Sequence, residues 1–189
     1  MTRPAPSRSL SPSSLLNWTG TICQENPNVE APVVSGIAFN RDEAQITVVN
    51  VPDRPGIAAA ILGPVGDANI EVDMIVQNVG GDATTDFTFT VHRNDFDRAH
   101  EVIKRVAKEL GAKGGRTAND ISKVSLVGVG MRSHAGIASK MFKALASDGI
   151  NIKMISTSEI KISVVIDDKY LELAVRTLHK AFDLEPARS

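Results

Sequence analysis

The 189-residue chain balances 21 Lys and Arg against 22 Asp and Glu, a net charge of −1, which excludes a basic nucleic-acid footprint and a polybasic membrane patch. Its 42% hydrophobic and 23% charged residues fit a soluble globular protein, and its lone cysteine, Cys23, rules out an internal disulfide or a cysteine-based metal cluster. A reduced, cytoplasmic setting is the default expectation, because the longest apolar stretches are too short for a membrane span and the amino terminus lacks a signal-peptide core.

Residues 1–32 read as a disordered or linker segment. Pro4, Pro6 and Pro12 stand among Ser and Arg, and Gly20, Pro27 and Pro32 interrupt the remainder of the segment. From residue 33 the pattern becomes regular. Residues 33–39 predict a short strand, 40–43 a polar turn, and 45–51 a strongly β-branched strand. Pro55-Gly56 then opens a helix whose face is Ile57, Ala58, Ile61, Leu62 and Val65. Gly63-Pro64 inside it predicts a kink or a broken last turn, because proline lacks the backbone donor. Residues 70–79 and 84–91 predict a hairpin across Gly80-Gly81-Asp82, and 95–110 a helix with Ala99, Val102, Ile103, Val106 and Leu110 inward. Residues 116–121 predict a weak strand.

The same order returns: strand 124–129, helix 136–147, hairpin 150–157 with 160–166, and a closing helix 170–182. Residue matches support an internal duplication. At an offset of 78, Ile46, Val48 and Val51 match Val124, Leu126 and Val129. At 80, Gly56, Ile57, Ala58, Met74 and Ile75 match Gly136, Ile137, Ala138, Met154 and Ile155. At 75, Phe87, Phe89 and Val91 match Ile162, Val164 and Ile166. Each βαββα unit needs one more strand to become a ferredoxin-like βαββαβ module. The expected fold is therefore α+β: one module over 45–122 and a second over 123–183 that borrows 33–40. The first strand would interlock the two antiparallel sheets, with helices on one face.

Several words in the sequence resemble the tandem ACT region of bacterial aspartate kinases. They are Val51-Pro52-Asp53-Arg54-Pro55-Gly56-Ile57-Ala58, Val72-Asp73-Met74-Ile75-Val76-Gln77-Asn78 and Thr84-Thr85-Asp86-Phe87-Thr88-Phe89 for a first module. Lys123-Val124-Ser125-Leu126-Val127-Gly128-Val129-Gly130-Met131-Arg132-Ser133-His134 and Asn151-Ile152-Lys153-Met154-Ile155-Ser156-Thr157-Ser158-Glu159-Ile160 resemble the second. The resemblance covers residues 33–183. It implies a regulatory subunit or region that binds threonine, lysine or both for feedback inhibition of an ATP-dependent aspartate kinase. It also implies a catalytic kinase domain or subunit as partner, and no catalytic residue, metal or cofactor in this chain, ATP belonging to the kinase domain. In the two-subunit type, a short chain of these modules arises from an internal start in the same gene.

A free amino acid offers a carboxylate, an ammonium and a side chain. Backbone N–H groups at a helix start suit the carboxylate, and Pro55, Gly56, Ile57 and Ala58 supply such a start. Asp53 suits the ammonium, and Gln77 suits a hydroxyl side chain. Locally the same residues read more readily as a tight turn and helix cap; the resemblance reverses that preference in favour of the effector role. By the resemblance, Asn151 and Ile152 complete the first site from a neighbouring module, often another chain's. Met131, Ser133, His134, Gly136, Ile137 and Ala138 begin the second helix, with Ser158 and Glu159 on the hairpin. Glu159 would neutralise a lysine ammonium, the alternative being a solvated hairpin turn.

His92, His100, His134 and His179 show no metal-ligand spacing. An RNA-binding module of the same βαββαβ plan would need exposed aromatics, whereas Phe87 and Phe89 alternate with Thr88 and Thr90 as core residues do. An ACT regulator of another amino-acid enzyme is a further alternative. A homodimer is expected, since isolated modules expose a sheet edge that pairing covers.

Overall fold

A computed structural model describes residues 34–80, 82–131 and 135–184. The expectations for residues 1–32, and those for Ser133 and His134, lie outside the described residues. In chain order the elements are β1 Val34–Pro52, α1 Ile57–Asp67, β2 Val72–Val79, β3 Thr84–His92, α2 Phe96–Glu109, β4 Gly114–Gly128, α3 Ala135–Ser147, β5 Met154–Thr157, β6 Lys161–Asp167 and α4 Leu171–Ala181. Single 3-10 turns lead into α2 and α4.

The strands form one antiparallel sheet in the order β2-β3-β1-β4-β6-β5. Its two long central strands each serve both modules. The second half of β1 pairs with β3 on one side and with residues 114–121 of β4 on the other. The first half, 34–40, pairs with residues 123–128 of β4, which pair in turn with β6. The opening strand thus completes the second module's sheet, and the modules interlock through it.

Two strands are longer than the sequence suggests. The expected turn at 40–43 is instead a bulge inside β1, with register shifts on either side of Glu43. Asn40 Oδ1 accepts from the Asp42 amide at 3.0 Å and Asn40 Nδ2 donates to Glu43 at 3.0 Å, so the polar residues satisfy one another without reversing the chain. Likewise the expected strands at 116–121 and 124–129 are one strand, β4.

Each module buries its own core on the helix-covered face. Ala44, Ile46 and Val48 alternate inward along β1, and a bulge between Val48 and Val51, with Asn50 at φ 54°, brings Val51 inward as well. Phe87, Phe89 and Val91 join them under Ile57, Ile61 and Val65 of α1 and Ala99, Val102, Ile103 and Val106 of α2. Each large apolar side chain removed from water here is worth roughly 1.5–3 kcal/mol. Despite Pro64, α1 runs through to Asp67; the acceptor that proline leaves without a donor belongs to Ala60, on the exposed side. The second core repeats the plan with Val124, Leu126, Ile162, Val164 and Ile166 under Ile137, Met141, Leu145, Leu171, Ala174 and Leu178. Val34 and Ile37 pack against it, as the borrowed strand requires.

A third, smaller cluster lies on the face away from the helices. Met74 of β2 and Met154 of β5, from the two outermost strands, meet there with Ile121 and Val165. The sheet therefore folds back on itself, and its open faces confront one another across the modules.

Candidate functional site

The first candidate site begins where β1 ends. The Asp53 amide donates to the Ala83 carbonyl at 2.9 Å, anchoring the turn to the β2–β3 hairpin. Gly56 caps α1 with φ 89°, a left-handed conformation that glycine adopts without strain, and no side chain caps the helix. A Cβ at Gly56 would meet open space, so glycine is set by the backbone and not by crowding within the chain. Asp53, Pro55 and Gly56 are exposed, Ala58 is half-buried, and Ile57 belongs to the core. Gln77 stands opposite Phe87 across the β2–β3 ladder, so it projects to the helix-covered side, where it is exposed at the sheet edge. The result is a solvent-facing helix start, rich in backbone donors, with a carboxylate and an amide on neighbouring elements.

At the second module, Gly136 lies in the first turn of α3 and is exposed, while Ala138 is half-buried. Ile137 and Met131 are core residues, so their side chains pack and do not face a ligand. The Met131 amide donates to the Glu159 carbonyl at 3.0 Å, which ties the loop before α3 to the β5–β6 hairpin. Ser158 Oγ accepts from the Lys161 amide at 3.1 Å and so helps to close that hairpin turn.

Asn151 and Ile152 are not brought to Gly56 within one chain. They line a cleft of about 660 Å³ between the open sheet faces, with Gln45, Thr47, Val76 and Asn78. A smaller cleft of about 170 Å³ lies against Met74, with Asp73, Lys123, Ser125, Ser158 and Ser163.

An ion cluster without a local sequence signature closes this second cleft. Lys123 Nζ donates to Glu43 Oε1 at 2.9 Å and also contacts Asp73 of β2. The Glu43 side chain is 4% exposed and that of Lys123 20%. Burial works against the Lys123 ammonium, but hydrogen bonds and attraction from Asp73 and Glu43 outweigh it and raise its pKa above the ordinary lysine value. The available signal was a glutamate in a stretch that otherwise reads as a turn, and a lysine in the middle of an apolar strand. Neither names the other across 80 positions.

Phe87 and Phe89 are buried at 1% and 0% exposure, unavailable for stacking on bases. Among the described residues, no group of three or more His, Cys, Asp or Glu is arranged to hold a metal ion, and no helix is long and apolar enough to cross a membrane.

Residues 45–111 and residues 124–182 each match a family model described as an ACT domain. An aspartokinase of Pseudomonas aeruginosa is 64% identical over 169 residues, 89% of this chain but 41% of that protein. One from Helicobacter pylori is 50% identical over 157 residues, 83% of this chain and 38% of that protein. The chain thus spans about two fifths of the length of these curated relatives. Among solved structures, a chain from the crystal structure of aspartokinase alpha and beta subunits is 56% identical with a TM-score of 0.75, and the alignment covers 80% of this chain and 99% of that one. The ligand-free regulatory subunit of aspartate kinase from Thermus thermophilus is 43% identical with a TM-score of 0.75, covering 79% and 99%. Two ACT matches falling on the two halves of the interlocked sheet, with nearly complete coverage of a solved regulatory subunit, place the chain in the tandem-ACT regulatory family of the aspartate kinases.

Proposed function

We infer that the chain senses end-product amino acids, threonine, lysine or both, and conveys their presence to the catalytic domain or subunit of a cytoplasmic aspartate kinase as feedback inhibition. The observation that carries this reading is the start of α1: it is solvent-facing, opens at Gly56 with φ 89°, and has no side-chain cap. The Ile57 amide donates to the Arg54 carbonyl at 3.2 Å, and the other N–H groups of the first turn with the positive end of the helix dipole favour a carboxylate there. Asp53 would take the ammonium and Gln77 a hydroxyl. Gly136, Ala138 and Glu159 would form the corresponding site at α3.

Each site would be completed by Asn151 and Ile152, or their counterparts, from a second chain. Exposed apolar residues on both outermost strands support such pairing: Ile75 and Val79 on β2, and Ile155 on β5, are 51%, 67% and 46% exposed. Ligand bound across such a seam would favour the closed pairing and with it the inhibited kinase. Isothermal titration of the chain with threonine and with lysine tests the reading. Saturable heat for at least one, abolished by Gly56→Val, is expected; no heat for either at millimolar concentration would overturn it.

A further inference from the structure

The two modules differ where a helix meets the outer strand of each half of the sheet. In the first module that strand is residues 114–118 of β4, and on the helix-covered face Gly115 stands opposite Val48 and Thr117 opposite Ile46. In the second it is the first half of β1, where Ile37 stands opposite Leu126 and Phe39 opposite Val124, the same positions at an offset of 78. Ile37 packs against the second core, and Phe39 follows it on the same face at 55% exposure. Val175 of α4 packs on that core too, whereas its counterpart on α2, at an offset of 75, is the exposed His100.

The first module therefore has a groove where the second is filled by its own strand. It runs between α2 and the start of β4, and its volume of about 420 Å³ lies in the range typical of small-molecule sites, about 300–1,000 Å³. Ile46 and Val48 lie buried beneath it. The surface open to a ligand is half-buried Ala107 on α2 and Ala112 ahead of β4, with Gly114, Gly115 and Thr117 exposed on the strand. His100, Lys104 and Lys108 follow one another at successive turns along the helix side. Lys104 approaches Glu101 only to 4.0 Å, with both side chains well exposed. Among the described residues, none of those lining the groove is acidic.

We propose that this groove binds a small organic carboxylate with a phenyl or branched alkyl body. The body takes the space that Ile37 fills in the second module, between Ala107 of α2 and Gly115 of β4, and the carboxylate meets the Lys104 and Lys108 ammonium groups. Burial of the body supplies most of the affinity, and the exposed lysines add a smaller, salt-sensitive share. The same two lysines disfavour an ammonium on the ligand, which separates it from the zwitterions inferred for the helix starts at Gly56 and Gly136. Occupancy would fix α2 against the outer strand of its module, as Ile37 and Val175 fix α4 in the other.

The test is a ¹H–¹⁵N NMR titration of the full chain with phenylpropanoate, with isocaproate and, as a cationic control, with phenylpropylamine. It follows the backbone amides of Ala112, Gly114 and Gly115 beside those of Gly56, Ile57 and Ala58. Saturable shifts at Gly114 and Gly115 are expected with at least one carboxylate at millimolar concentration, and none with the amine. Gly115→Ile rebuilds the filled arrangement of the second module and should abolish the Gly114 response. A Cβ at Gly115 meets only the Thr47 carbonyl oxygen, at 3.4 Å, so the strand has room for it. Lys104→Met/Lys108→Met keeps the test open should Gly115→Ile fold poorly; both lysines are exposed, and their loss should weaken carboxylate binding about fivefold. Absence of shifts at Gly114 and Gly115 with both carboxylates would overturn the proposal. So would a Gly114 response undiminished in either variant, or an amine that binds as well as the acid. Each of these results leaves the sensing role to its own titration with threonine and lysine.

Discussion

Replacing Lys123 with Met removes the cation that holds the two modules together on the open face of the sheet. Glu43 would keep its hydrogen bond from Asn40 at 3.0 Å but lose the Lys123 contact at 2.9 Å, leaving a carboxylate at 4% side-chain exposure without its counter-charge. Breaking a buried ion pair from one side costs about 3–5 kcal/mol. Because Lys123 is one-fifth exposed and Asp73 about half, solvent screens part of the loss, and about 3 kcal/mol is the better figure. For a domain of this size, each kcal/mol lowers Tm by about 2–4 °C, so Lys123→Met should melt about 6–12 °C below wild type. Circular dichroism melts with urea titrations measure this directly. The double variant Lys123→Met/Glu43→Met should recover most of the loss, giving a coupling energy of about 2 kcal/mol in the cycle. A single variant melting within about 2 °C of wild type, or a double variant no better than the single, would refute the claim that Glu43 depends on Lys123.

The same geometry sets three further outcomes. Folding raises the Lys123 pKa, so the folded state holds that proton more tightly than the unfolded chain. The stability gap between wild type and Lys123→Met should therefore stay flat through neutral pH and narrow only as pH rises past about 10.5, read from urea midpoints across a pH series. Gly56→Ala should destabilise by about 1–2 kcal/mol through the φ of 89° alone, since a Cβ there meets no neighbour, and should weaken threonine binding in calorimetry. Ile75→Lys and Ile155→Lys place charges on the exposed edge strands and should shift the species seen in analytical ultracentrifugation from the proposed dimer toward monomer, with the melting curve little changed.

The duplication was legible because apolar positions at three constant offsets survive whatever happens in the turns. Phe87 and Phe89 could be assigned to the core from alternation with Thr88 and Thr90 alone, and both are buried. Residues 40–43 could not be read correctly, because four polar residues in a row look like a turn wherever they occur. They remain in the strand because Asn40 bonds locally and Lys123 neutralises Glu43 from another strand. The same limit applies at the sites. The helix start at Gly56 announces itself through Pro55-Gly56 and the apolar face beyond it. The placement of Asn151 and Ile152 against Val76 and Asn78 depends on how the sheet folds back through Met74 and Met154, which no local pattern encodes. Met131, expected at the second site, has its side chain in the second core while its amide donates to the Glu159 carbonyl, a placement that no local pattern encodes.

A crystal structure grown with threonine and lysine together addresses the central claim most directly. The account predicts an amino acid with its carboxylate on the amides of Gly56 to Ala58 and a second-type ACT module packed across it. A helix start open to bulk solvent, with neither amino acid bound there, would contradict it.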